Sequence, residues 1–257
     1  MNNLIDTITI ALNFFIGSLT GFLSGFLGVG GGFILVPLLI FTGVPTHIAI
    51  GSSLAYIVFT GISGVLQHYN QKNCDFKLAL LLMCGGVVTA QIGAVMTLYV
   101  AERILETLLG FILLGTAIRM ITEKDGRSMS SNIAKMSMRY KISVAIAIGL
   151  ITGFLSGLVG VGGGFLLVPL MVLLLHVPIH KAIGTSLMGV VGFATSGVIR
   201  HWMIGHIDPS LVGILVTGGI FSAPLGAKAS KKTSRQFLRK IFSALLLLFS
   251  FRLLIQI

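Results

Sequence analysis

One stretch of this chain, Gly21-Phe-Leu-Ser-Gly-Phe-Leu-Gly-Val-Gly-Gly-Gly-Phe-Ile-Leu-Val-Pro37, is written twice. It returns as Gly153-Phe-Leu-Ser-Gly-Leu-Val-Gly-Val-Gly-Gly-Gly-Phe-Leu-Leu-Val-Pro169, and between Gly21–Ile40 and Gly153–Val172 fifteen of twenty positions are identical. A glycine cluster inside apolar sequence interrupts a helix and bares backbone amides. Hydrocarbon penalises those amides unless protein or a ligand meets them.

The surroundings are apolar enough for that penalty to matter. Of 257 residues, 55% are hydrophobic and only 10% charged, against about 25% charged in an average soluble domain. Long apolar runs such as Val144–Leu155 and Leu211–Leu225 predict a polytopic all-α membrane protein. The short alternating segments of an outer-membrane barrel are missing. A net charge of +11 would suggest nucleic acid in a soluble protein. Here the basic residues fall in loops without interleaved aromatics, so they orient the chain and no nucleic-acid partner is expected. Cys74 and Cys84 have no CxxC spacing and read as free thiols. No Lys or Arg precedes Lys72, so the N-terminus reads as a mature membrane segment rather than a secretory signal.

The repeat covers almost everything. With one residue inserted before Pro178, Val44-Pro-Thr-His47 matches Val177-Pro-Ile-His180, and Ile50-Gly-Ser-Ser-Leu54 matches Ile183-Gly-Thr-Ser-Leu187. His68 falls on His201, Asp75 on Asp208, Gly85-Gly86 on Gly218-Gly219, and Arg119 on Arg252. The expected organisation is a first repeat over 1–121, a linker over 122–141 and a second repeat over 142–257. Helices are predicted at about 5–27, 31–42, 47–69, 76–98 and 103–121, then 142–159, 163–175, 180–201, 209–227 and 235–255. The second helix of each copy is short: a dozen residues rise roughly half of a 30 Å hydrocarbon core.

The first two segments of each copy could form a single broken span, or a hairpin with its glycine tip inside the membrane. The linker carries Lys124, Arg127, Lys135, Arg139 and Lys141, and 228–240 carries six more basic residues, so both should be cytoplasmic. Only the hairpin puts both on one side. Each copy is then a re-entrant helical hairpin plus three transmembrane helices, the copies are inverted repeats, and the N-terminus lies outside. Breaks at matching positions of two halves point to a transporter's binding site.

The tips Gly28–Gly32 and Gly160–Gly164 each open a short helix, whose free amides and positive dipole end can hold an anion without a charged side chain. Gly28, Gly30, Gly31 and Gly32, with Gly160, Gly162, Gly163 and Gly164, are therefore the candidate substrate-binding positions. Gly21/Gly25 and Gly28/Gly32 equally suit small-residue helix packing. Ser52, Ser53, Thr185 and Ser186 could add hydroxyl donors or simply bond their own helix backbone. Gln91, opposite Pro224 in the repeat, carries an amide that should face the bundle or a cavity. His68 and His201 end the third segments, where proton coupling and plain hydrogen bonding both fit. Asp75 and Asp208 read as N-caps of the fourth segments, and Arg119 and Arg252 as snorkelling side chains. His176 and His180 flank Pro178 with no third ligand nearby, so no metal is expected. No carboxylate falls in mid-span, which argues against an intramembrane hydrolase or a carboxylate-driven pump and suits a permeant anion.

The paired GFLSGxxGVGGGFxLVP motifs, each followed by IGSSL or IGTSL, resemble the TauE/SafE family of sulfite and organosulfonate exporters over nearly the whole chain. The resemblance implies a multi-pass protein of the bacterial cytoplasmic (inner) membrane that exports small sulfur oxyanions, with Gly28–Gly32 and Gly160–Gly164 on the transport pathway. With Thr185 in place of Ser, and Pro224 in place of Gln91, the two half-sites need not be equivalent. The expectation is therefore a non-enzymatic, cofactor-free secondary transporter working by alternating access. Its partners are the oxyanion and the bilayer, with room for a homodimer. A passive anion channel, or a transporter of another small anion, stays open.

Overall fold

The computed structural model describes residues 2–122 and 137–255. Ten helices follow one another: α1 (Asn2–Leu27), α2 (Gly32–Phe41), α3 (Thr46–Asn70), α4 (Phe76–Met96), α5 (Glu102–Thr122), α6 (Met138–Val159), α7 (Gly164–Leu174), α8 (Ile179–Met203), α9 (Pro209–Lys232) and α10 (Arg235–Ile255). The ten segments expected from apolar periodicity are all present. Two boundaries move most: α9 runs on to Lys232 instead of 227, and α6 begins at Met138, so the end of the expected 122–141 linker is the first turn of a helix. Most of that linker lies outside the described residues.

Helices α1 (over Ile8–Leu27), α3, α4, α6, α8 and α9 are, among the described residues, long and apolar enough to cross a membrane. The expected spans α5 and α10 contain side chains outside the described ones, and the expected hairpin arms α1 and α6 are themselves long and apolar enough to cross. Bulky side chains such as Phe221 (78% exposed) and Trp202 (61%) face outward, a surface suited to lipid rather than water.

Packing follows the repeat but exchanges the copies. Helix α1 lies on α9, with Gly17, Gly21 and Gly25 set against Leu215, Gly219 and Ala223. The equivalent pair is α6 on α4, with Gly149, Gly153 and Gly157 against Leu82, Gly86 and Ala90. Register rises together along both pairs, so each is parallel. The steps of four residues put every glycine on one helix face, where backbone meets backbone. This places Gly21 and Gly25 in packing. Helices α3 and α8 cross the centre in opposite directions: Gly64 meets Leu187, Gly61 meets Val191, and Leu54 meets Gly197.

Within the first copy, the Tyr56 hydroxyl donates to the Gly17 carbonyl at 2.7 Å, and His68 Nε2 lies 2.9 Å from the Gly25 carbonyl. Helices α1 and α3 therefore start at the same end, and α2 doubles back towards it. The interlocked glycines give a direct test. A side chain at Gly25 or Gly157 would run into the carbonyl of Ala223 or Ala90. Gly25→Val and Gly157→Val should each cost about 3 kcal/mol or more and give aggregated protein or a lowered Tm in detergent; Gly213→Val, where the space is open, should not.

Candidate functional site

Both breaks adopt the same backbone. Gly28, Gly30 and Gly31 have φ of 72°, 81° and 81°, and Gly160, Gly162 and Gly163 have 73°, 72° and 72°. Side chains other than hydrogen seldom adopt this left-handed region. Gly31 and Gly163 are the N-caps of α2 and α7, and neither helix has a side-chain cap. Neither has the side-chain acceptor that Asp75 and Asp208 supply to α4 and α9; the Ile34 and Leu166 amides bond the Gly31 and Gly163 carbonyls, both at 3.1 Å. Pro37 and Pro169 lie further along, inside the short helices.

The two tips meet. A Cβ on Gly32 would lie 2.7 Å from the Gly160 carbonyl, and one on Gly164 would lie 2.6 Å from Val29 Cα. All eight candidate glycines are buried. The four candidate hydroxyls are fully buried beside them, and all four bond between copies; Ser186 also bonds the Ile183 carbonyl of its own helix at 2.9 Å. Ser53 donates to the Gly160 carbonyl at 2.9 Å, and Ser186 to the Gly28 carbonyl at 2.5 Å. Ser52 and Thr185 accept at 3.0 Å from the amides of Asp208 and Asp75. Ser186 and Ser53 therefore close each tip against the opposite copy.

Gln91 is a correction. Its side chain is exposed on the outside of α4, away from the tips. The face of α4 that packs on α6 and α8 carries Gly86, Ala90, Gly93 and Ala94, and one residue beyond Ala90 turns about 100° away from it. Two hydroxyls outside the expected set lie next to the breaks. Ser24 and Ser156 are fully buried, and their Oγ atoms have no hydrogen-bond partner among the described residues. The carbonyls of the same two serines accept the amides of Gly28 and Gly160 at 2.8 and 3.0 Å, and Ser24 Cβ lies 3.3 Å from a Cβ placed on Gly31. The signal for them is the Ser of GFLSG, present in both copies.

The rest of the constellation caps and braces. Asp75 accepts the Leu78 amide at 3.2 Å, and Asp208 accepts those of Ser210 and Leu211 at 2.9 and 3.1 Å. His68 and His201 are buried, each with Nε2 at 2.9 Å from a carbonyl, of Gly25 and Gly157 respectively. Arg252 lies over the Phe41 ring at 5.2 Å. Cys74 and Cys84 are free, and burial pushes the Cys74 thiol up to about 11. At the end of the bundle where α3 begins, His206 stacks on His47 at 5.0 Å and tilts against His201 at 5.5 Å, with Glu102 3.9 Å from His47. Burial, then the neighbouring His47, holds the His206 imidazole below its ordinary 6.5.

Two outcomes follow from this geometry. Ser53→Ala and Ser186→Ala each leave a buried tip carbonyl without its donor, at about 1–3 kcal/mol, so each should lower Tm in detergent, with a larger fall in the double variant. Because the unfolded chain takes up the His206 proton first, stability should fall as pH drops below 6.5 towards the lower folded value. His206→Gln should flatten that region of the Tm-against-pH curve.

Comparison with known proteins agrees with this architecture. The probable membrane transporter protein YunE of Bacillus subtilis (strain 168) is 28% identical, covering 94% of this chain and 96% of its own. The probable membrane transporter protein YjnA of the same organism is 30% identical, over 93% and 97%. A probable membrane transporter protein of Methanocaldococcus jannaschii is 29% identical over 90% of each. No solved structure matches the chain. Residues 13–253 match the family described as "Sulfite exporter TauE/SafE", and the chain belongs to that family of membrane transporters.

Proposed function

We propose that this protein moves a small sulfur oxyanion, sulfite or an organosulfonate, across the bacterial inner membrane by alternating access. The observation that carries the reading is the meeting of two uncapped helix N-termini, each behind a left-handed glycine turn. Such ends attract anions through amides and dipole. The buried Ser24 and Ser156 hydroxyls stand beside them without partners among the described residues.

In this reading α1–α2 and α6–α7 are re-entrant hairpins of two inverted repeats, with the N-terminus outside and the basic loops in the cytoplasm. The tips are packed shut here, since a Cβ on any of Gly28, Gly30, Gly31 or Gly32 would come within 3 Å of a neighbouring atom. Opening must draw a tip away from the opposite copy. That frees Ser53 or Ser186 to donate to the anion in place of a carbonyl. Rocking of one copy against the other then exposes the site to one side at a time. A channel would need both tips open together.

The test is sulfite flux in proteoliposomes. Wild type should show saturable, counterflow-stimulated flux. Gly31→Val and Gly163→Val, in protein that remains monodisperse, should lose it by at least about tenfold, a barrier change of some 1.4 kcal/mol. Unchanged flux in both variants would return the tip glycines to packing. Flux without counterflow stimulation would favour the channel, and flux of another anion alone would replace the substrate.

A further inference from the structure

A second region of unspent chemistry lies away from the tips. Helices α4 and α6 are parallel neighbours, so their N-terminal turns sit together at one end of the bundle. A cleft of about 740 Å³ opens there, lined by Lys77, Lys141, Lys181 and His176. Lys181 is held by Asp75 at 3.1 Å. Among the described residues Lys77 and Lys141 have no carboxylate partner, and His176 Nδ1 has no hydrogen-bond partner. Two helix N-termini add their positive ends to the same place. Below the lysines the wall is apolar, formed by Leu80, Leu81 and Ile142. Leu80 is 57% exposed on the outer surface of the bundle, so the wall is continuous with the lipid-facing side.

We propose that this cleft binds an anionic phospholipid, its phosphate between Lys77 and Lys141 and an acyl chain along Leu80, Leu81 and Ile142. A free oxyanion would use the cationic rim but has no use for the apolar wall. A phospholipid matches both, and basic pockets between spans are where anionic headgroups bind. The site is separate from the glycine tips, and it rests only on the membrane location of the family.

The test is native mass spectrometry and thermal unfolding of the full chain with phosphatidylglycerol or phosphatidylcholine at equal mole fraction. Wild type should retain phosphatidylglycerol preferentially and gain Tm from it. Each lysine at an anionic headgroup contributes about fivefold, so K77Q/K141Q should weaken retention roughly thirtyfold and abolish the Tm gain. K228Q/K232Q, at the far end of α9, should keep both. Sulfite flux in neutral-lipid vesicles reads the tip site independently. Equal retention of the two lipids by wild type would overturn the proposal, as would full retention by K77Q/K141Q. So would an equal Tm rise with inorganic phosphate, which marks a free-oxyanion site, or a dimer lost in the double variant, which marks a contact between copies.

Discussion

Two pieces of non-helical backbone at the centre of an apolar bundle are the constraint on which the rest depends. Each break leaves amides and carbonyls that the helices on either side cannot satisfy. An unsatisfied peptide group away from water costs several kcal/mol. The chain meets this need with side chains from the other copy: Ser53 on Gly160, Ser186 on Gly28. Neither copy can close its own tip. The fold is interlocked because the breaks require it.

The glycine stripes make that interlocking reachable. Association of helices in lipid has little hydrophobic drive and depends on close packing. Gly17, Gly21 and Gly25 bring α1 against α9, and Gly149, Gly153 and Gly157 bring α6 against α4, so that a tip from one copy is always walled by helices from the other. The two parallel seams then flank the antiparallel α3–α8 crossing, from which all four tip hydroxyls project. Tyr56 belongs to the same scheme, tying α3 to α1 through Gly17 and Thr20. Its repeat counterpart is Gly189, so this brace exists once only. The copies therefore share a frame without being chemically equivalent.

The helices and both glycine breaks are legible in the sequence because repetition doubles the signal and apolar runs are long. Asp75 and Asp208 are legible as caps because their chemistry is local. What sequence cannot supply is the partner of each polar group. Ser53 looks the same whether it bonds its own helix or a carbonyl more than a hundred residues away. Gln91 reads as costly in lipid, but its face is set by the α4–α6 seam, and the apolar residues flanking it carry no periodic mark strong enough to show that. Ser24 and Ser156 sit inside the most informative motif and still escape a sequence reading, because a serine four residues before a break ordinarily bonds its own helix backbone.

The closed tips also bear on how the proposed cycle could run. The latches are two hydrogen bonds, each worth only about a kcal/mol net against an alternative partner. An anion held by the α2 or α7 amides supplies that partner, since it accepts from the serine as the carbonyl did. Exchange of one acceptor for another keeps the hydroxyl satisfied throughout, whereas opening an empty tip would leave the hydroxyl bare as well as the carbonyl. In the proposed cycle the loaded protein then has a lower barrier to opening than the empty one, which is the behaviour that separates a coupled carrier from a leak. Ser52 and Thr185, which accept from the Asp208 and Asp75 amides, differ by the methyl that stiffens Thr185 at χ1, so the two tips need not open with equal ease.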